Sequence, residues 1–286
     1  MKKVIVIVGP TGSGKTKQSL LLADAINGEI INGDSVQIYQ ELNIGSAKIK
    51  EDEKAGIKHH MFDVCSIEEK YTVFNFQHDV RKLLEMIDHP IIVGGTGFYI
   101  KSALFDYRFD LEEHINIDFS DLTNEEIFNE IKGVDQDLII DKHNRHRLER
   151  ALTMKRNGIL RSSKDKKNQP LYDILTFYLD VDRITLKDQL EKRLDIQIAN
   201  GFIEETKAIV DKNIILNIIG YRELSLYLKQ EITIEEAKEK IIKSSMSLAK
   251  RQKTWFKNQM DTVLLDANDP NVTTKMIKKS LDFLKG

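Results

Sequence analysis

The sequence predicts an α/β fold: a parallel sheet flanked by helices, interrupted by a mostly helical insertion. Three features carry this. Short β-branched runs without polar alternation recur, as in strands covered on both faces. Helical patterns separate them. A stretch that is first acidic and then basic lacks strand runs and breaks the alternation.

Taken in order, Lys3 to Val8 is the first buried strand. A helix follows from Lys15, with Leu20, Leu21, Ala23 and Ile26 on its inner side and Gly28 as its stop. Glu29 to Asn32 and Pro90 to Val93 read as further short strands, and Leu175 to Leu179 as another. Alternating strands and helices imply right-handed parallel crossovers. After Val181 the patterns are helical almost to the end. The expected organisation is a catalytic core from residues 1–110 and 171–286, with the helical insertion at 111–170.

Composition excludes several classes. With 286 residues, 41% of them apolar and 31% charged, the chain can bury a core and is not disordered. No run approaches the ~18 to 20 apolar residues of a membrane helix, so no membrane partner is expected. The opening Met1-Lys2-Lys3 and its apolar stretch run into Gly9-Pro10-Thr11-Gly12 without a cleavage site, as a strand does and a signal peptide does not. A single cysteine, Cys65, permits no internal disulfide and no cysteine cluster for zinc. A cytoplasmic monomer is expected.

The net charge of −2 conceals a polarity. Ten acids against one base lie between Asp110 and Asp137; ten bases against three acids lie between Asp141 and Asn168. Such a segment either presents a basic face to nucleic acid or is a hairpin whose charges pair.

Gly9-Pro10-Thr11-Gly12-Ser13-Gly14-Lys15-Thr16 fits G-x-x-x-x-G-K-[ST], after a strand and before a helix. There, backbone N–H groups converge on phosphate oxygens at a helix N-terminus. Lys15 adds a point charge and Thr16 can hold Mg²⁺. The core is therefore P-loop NTPase-like, although Ile91 to Val93 ends in Gly94-Gly95-Thr96-Gly97 rather than a metal-binding Asp. The second strand ends in Gly33-Asp34-Ser35, where Asp34 is a metal ligand, a general base or a helix cap. His59 and His60 lack convincing further metal partners and read as loop or packing residues.

Further segments give a resemblance. Asp34 to Tyr39, Asn43 to Lys48, His59-His60 with Asp63, and Val93 to Lys101 follow the P-loop. Arg147 to Leu152, Gly220 to Glu223, Ala249 to Gln252 and Thr254 to Phe256 come later. In this order the set resembles the tRNA dimethylallyltransferase (isopentenyl-tRNA transferase) family over nearly the whole chain, the insertion being least similar. The resemblance implies transfer of a dimethylallyl group from dimethylallyl diphosphate to N6 of adenosine-37, beside the anticodon in tRNA. Gly9 to Thr16 would hold the departing diphosphate, aided by Lys15, Thr16 and Mg²⁺.

By the same resemblance Asp34 is the base taking the N6 proton. Ser35, Val36 and Gln37 surround the target base, and Thr96 stands near the reacting centre. The adenine must leave its stack to react. His146, Arg147, Leu148, Glu149 and Arg150 match a tRNA-contacting stretch, with Arg147 and Arg150 on one helical face. Lys250 and Arg251 are expected to meet RNA.

In the C-terminal helix, Ala237, Ile241, Ser245, Leu248, Gln252 and Trp255 form an inward face, with Trp255 and Phe256 as core anchors. Lys243, Met246, Lys250, Lys253 and Lys257 form a second stripe, facing RNA or diphosphate. Where the family usually has Thr-Arg, this chain has Ser245-Met246, and Lys243 or Lys250 is expected to supply the missing charge. The pair ahead of the arginine stretch is altered as well, to His143-Asn144. Three other readings stay open: an adenine-nucleotide isopentenyltransferase, a P-loop small-molecule kinase and a non-catalytic RNA-binding module. The basic insertion speaks against the first, and the ordered later motifs against the second.

Overall fold

The computed structural model describes residues 1–107, 109, 119–156 and 169–286. By its internal contacts the chain divides into two compact units, Met1–Asp106 with Gln169–Gly286, and Tyr107–Asn168.

The first unit is built on a six-stranded parallel sheet. Its elements begin with β1 (Lys3–Val8), α1 (Lys15–Ile26), β2 (Glu29–Gly33), β3 (His59–His60), α2 (Val73–Met86), β4 (Pro90–Gly94) and α3 (Gly97–Leu104). In the second unit lie α4 (Asn124–Lys132) and α5 (Arg145–Arg156). The first unit resumes with β5 (Asp173–Asp180), α6 (Arg183–Ala199), α7 (Phe202–Val210), α8 (Tyr221–Leu228), α9 (Ile234–Gln259), β6 (Val263–Asp266) and α10 (Val272–Lys285). The strands order as β3-β2-β4-β1-β5-β6. No helix among the described residues is long and apolar enough to cross a membrane.

Successive residues of β1 point to opposite faces and both faces are covered, which explains its uninterrupted apolar run. Val4, Val6 and Val8 pack with Phe76, Val80 and Leu84 of α2, Ile100 of α3 and Phe256 of α9. Ile5 and Ile7 pack with Leu22, Ala23 and Ile26 of α1 and Met276 of α10. A third cluster joins α6, α7, α8 and α9 through Leu190, Leu194, Phe202, Tyr221 and Ala237.

Three sequence expectations need correcting here. Leu21 is exposed on α1, whose buried stripe is Gln18, Ser19, Leu22, Ala23 and Ile26. The helix ends at Asn27, which takes the left-handed conformation at φ 51°, so Gly28 is one residue too late. The C-terminal stretch is also not helical throughout: β6 pairs with β5 from Phe177↔Val263 to Asp180↔Asp266. As a four-residue edge strand with only Leu265 buried, it shows too little alternation to be read locally.

The second unit has its own core, in which Phe119, Ile127, Ile131, Leu138, Leu148, Ala151 and Leu152 meet. Several of the charges noted above lie outside the described residues: Asp110, Glu112, Glu113 and Asp118 in the acidic half, Arg161, Lys164, Asp165, Lys166 and Lys167 in the basic half.

Candidate functional site

Because β1, β2 and β4 run parallel, their carboxyl ends open on one edge of the sheet, where ligands of α/β folds bind. The three turns that leave those ends are the P-loop, the segment from Asp34 and the segment from Gly95. Gly33 and Gly94 pair across β2 and β4 so closely that a Cβ on Gly94 would stand 2.2 Å from the Gly33 carbonyl carbon. No other residue type permits that approach.

Gly14 caps α1 in the left-handed region at φ 76°, turning the chain so that the first N–H groups of the helix point outward. The Lys15 ammonium turns inward and donates to the carbonyls of Gly9 and Pro10, at 2.9 and 2.7 Å. Burial lowers its pKa to about 8, Asp34 opposing and Arg193 reinforcing the shift. Ser13 Oγ is buried with no partner, as befits a cradle built for an anion. The Thr16 side chain is exposed at the start of α1.

The depressed Lys15 pKa has a stability consequence. Unfolded, Lys15 holds its proton to about 10.5; folded, it releases it from about 8. Between these values the unfolded chain binds more protons, so stability rises with pH. Urea unfolding of the wild type and a Lys15→Met variant, at pH 7.5 and 10, is expected to show the wild type gaining on the variant at the higher pH. Parallel changes in the two proteins would rule this out.

Asp34 is held from three sides. Its N–H donates to the Asn32 side-chain oxygen at 2.9 Å, and the buried Asn32 amide donates to the Asp34 and Met61 carbonyls. Its Oδ1 accepts the Val36 N–H at 2.9 Å, forming an Asx turn rather than a helix cap. Thr96 ties the two neighbouring turns together: its Oγ1 accepts the Ser35 N–H at 3.0 Å and lies 3.1 Å from Ser35 Oγ. Gln37 donates to the Ser46 carbonyl at 3.0 Å.

Thr11, Asp34, Ser35, Val36 and Thr96 line a cavity of about 550 Å³ with Arg193 of α6. Arg193 is a charged residue of the cavity wall that the sequence reading does not single out. Its guanidinium donates to the Ser46 carbonyl at 3.3 Å; burial pulls its pKa down and Asp34 pushes it back up. A carboxylate and two cations thus act on one another at this edge. The apolar remainder of the wall includes Leu190, Leu194, Phe202, Ile241 and Trp255.

Helix α9 separates this cavity from a second of about 1400 Å³. Ser245, Leu248, Arg251, Gln252 and Trp255 face the first. Thus the stripe expected to be wholly core is core at Ala237 and becomes cavity wall from Ile241 onward. Lys243, Met246, Lys250 and Lys253 face the second, which touches the P-loop through Pro10. Lys250 and Arg251, grouped in sequence, therefore look into different spaces. Lys253 is paired with Asp180 at 2.7 Å. The cations that act on Asp34 are Lys15 and Arg193, whereas Lys243 and Lys250 of α9 face the second cavity. Phe256 is a core residue, whereas Trp255 is only partly buried.

In the second unit, His146, Arg147 and Arg150 are exposed on α5. Asn144 starts that helix by accepting the Arg147 N–H at 3.1 Å, which accounts for an asparagine there. Leu148 needs correcting: its side chain is fully buried in the unit's core and has no surface to offer RNA. The Glu149 carboxylate is taken up by Arg145, which also donates to the carbonyls of Phe119 and Leu122. Lys155 and Arg156 both pair with Glu130, so charge pairing claims part of the basic half. His60 bonds Glu29 at 2.7 Å and His59 meets the Ile57 carbonyl. Among the described residues no group of three His, Cys, Asp or Glu could hold a metal.

The family model described as IPP transferase matches residues 37–259. The chain belongs to the IPP transferase family. Its relatives in that family include the tRNA dimethylallyltransferases of Acholeplasma laidlawii, 51% identical over 284 residues, and of Phytoplasma australiense, 44% identical over 286 residues. Each comparison covers 99% of both chains. Among solved structures, the tRNA delta(2)-isopentenylpyrophosphate transferase of Staphylococcus epidermidis superposes with a TM-score of 0.74 at 33% identity, covering 99% of each chain. A eukaryotic dimethylallyltransferase acting on tRNA gives 0.86 at 28% identity, covering all of this chain and 80% of that one. These solved transferases thus share this chain's fold.

Proposed function

We propose that this IPP transferase moves a dimethylallyl group from dimethylallyl diphosphate to N6 of adenosine-37 in the anticodon loop of tRNA. The observation that carries the reading is the meeting of Asp34 and Arg193 in one cavity at the edge where the Lys15 phosphate loop ends β1. Gly9 to Thr16 and Arg193 bind the diphosphate. As the allylic C1–O bond breaks, its electron pair goes to that leaving group, and the preorganised N–H donors and cations stabilise the growing charge. N6 supplies the pair for the new C1–N bond, and its proton passes to Asp34. Oδ2 is the oxygen for this step, since Oδ1 already accepts the Val36 N–H.

The exposed Thr16 hydroxyl is a hard oxygen donor of the kind Mg²⁺ takes beside diphosphate oxygens and water. Mg²⁺ held there would neutralise part of the leaving group's charge. Thr96 and Ser35 fix the turns around the acceptor base, with Gln37 behind them. His146, Arg147 and Arg150 meet tRNA phosphates, and Arg251 meets RNA at the first cavity. Lys250 belongs with the second cavity, where Lys243 and Lys250 supply positive charge around Met246. A monomer is the proposed active form. The cytoplasm, where tRNA is available, is the proposed location.

The test is transfer of labelled dimethylallyl diphosphate in Mg²⁺, with unmodified tRNA, with free AMP and with ATP alone. Label is expected on tRNA. Label only on AMP, phosphate transfer without prenylation, or tRNA retention without transfer would each replace this reading.

A further inference from the structure

The segment that follows Asp34 is held by its own turns, such as Lys48 N–H to the Asn43 carbonyl at 2.9 Å, and by partners on distant helices. A carboxylate more than 150 residues away gathers it. Glu205, near the start of α7, accepts the N–H groups of Asn43 and Ile44 through Oε2, at 3.0 and 2.8 Å, and that of Gly45 through Oε1, at 2.9 Å. Tyr221 of α8 donates its hydroxyl to the same Oε1 at 2.6 Å. On the acceptor side of the segment, Gln197 of α6 donates to the Ile44 and Gly45 carbonyls at 2.7 and 2.9 Å. The backbone lies so near α7 that a Cβ on Gly45 would stand 2.1 Å from the Phe202 ring.

The next carbonyl, that of Ser46, is where the arrangement reaches the site. It accepts from Arg193, beside Asp34, and from Gln37, on the segment running from Asp34. One oxygen therefore sets the position of two side chains, one assigned above to diphosphate and the other to the acceptor base. Three N–H bonds to an ionised acceptor are each about twice as strong as neutral ones. They fix the peptide planes that carry the Asn43, Ile44 and Gly45 N–H groups; the last of these holds the Ile44 carbonyl, which accepts the Ala47 N–H at 3.0 Å and so orients the Ser46 carbonyl in the same peptide plane as that N–H.

We infer that Glu205 is a positioning residue for both substrates: by gathering the 43–45 N–H groups it places the Ser46 carbonyl that orients Arg193 toward the diphosphate and Gln37 toward the tRNA base. The inference rests on the proposed prenyl transfer for the identity of the two ligands. The structural arrangement does not depend on it.

Glu205→Gln keeps the side-chain shape but aims an amide NH₂ at N–H donors, losing the Gly45 bond if its oxygen takes the Oε2 place and the Asn43 and Ile44 bonds if it takes that of Oε1, and it removes the charge that strengthens those left. Tyr221→Phe removes a single bond and leaves the three N–H contacts in place. Both variants and the wild type are titrated with inorganic diphosphate and with an unmodified anticodon stem-loop, and KM and kcat are measured for dimethylallyl diphosphate and tRNA. Glu205→Gln is expected to weaken both ligands and raise both KM values by about tenfold or more. Tyr221→Phe is expected to move them the same way by less. Arg193→Gln raises only the diphosphate constants, and Gln37→Ala only the RNA ones.

A purely structural glutamate would lower the active fraction, and with it kcat, leaving both KM values and both dissociation constants at wild-type levels. That result, or a shift in one ligand alone, overturns the inference. If Glu205→Gln does not fold, the Tyr221→Phe titrations decide by the same criterion. Wild-type binding of both ligands without prenyl transfer would discard the proposed reaction and leave the binding comparison to judge Glu205. Failure of the wild type to bind either would discard both.

Discussion

Asp34→Asn is expected to slow prenyl transfer to tRNA by roughly 10²–10⁴-fold, the usual contribution of a positioned general base. The substitution keeps an oxygen that can accept the Val36 N–H, so the Asx turn and the bonds to Asn32 survive. It removes the basic oxygen that takes the N6 proton. Dissociation constants for inorganic diphosphate and the anticodon stem-loop should stay within a few-fold of wild type. Single-turnover rates with labelled donor measure the chemical step directly. An unchanged rate would remove Asp34 from the mechanism, and a collapse of RNA affinity without a slower step would make it a binding residue.

Arg193→Gln carries the second large effect. A half-buried guanidinium at the cavity wall acts where charge accumulates as the C1–O bond opens, and losing one such group costs roughly 10²–10³-fold. The loss should fall on kcat as well as on the KM for dimethylallyl diphosphate. Arg193→Lys is expected to recover only part, because an ammonium cannot reach the Ser46 carbonyl and a phosphate oxygen with the same fixed fork. Equal rates in Arg193→Gln and wild type, at saturating and limiting donor, would assign the charge stabilisation elsewhere. Lys243 and Lys250 would then be the next residues to test.

What could be read in the sequence was local. The β1 run, the phosphate loop and the start of α1 are contiguous, and each obeys a pattern set by neighbouring residues. Asp34 was legible as chemistry because it directly follows a strand, although its Asx turn was not. Arg193 escaped because one charge in a helix full of Lys, Asp and Glu resembles a solvated face. A signal was present, since it falls three residues after Leu190 and seven after Leu186, on the buried stripe of α6. Glu205 offered less, its backbone partners lying 160 to 162 residues away in sequence. Leu148 was misplaced for the opposite reason. It stands among residues of an RNA-contacting stretch, but helical geometry turns it from its exposed neighbours into the core of its unit. Membership in a motif is not membership in a surface.

Helix α9 is a party wall. The side chains at Ser245, Leu248 and Gln252 furnish one room, and those at Lys243, Met246 and Lys250 furnish the other. Along most of its length, alternate positions on a single rod can be changed to enlarge, recharge or narrow either room while its neighbour keeps its furniture. An engineer has two nearly independent sets of positions on it, and Ile242, which borders both rooms, is the one to leave alone.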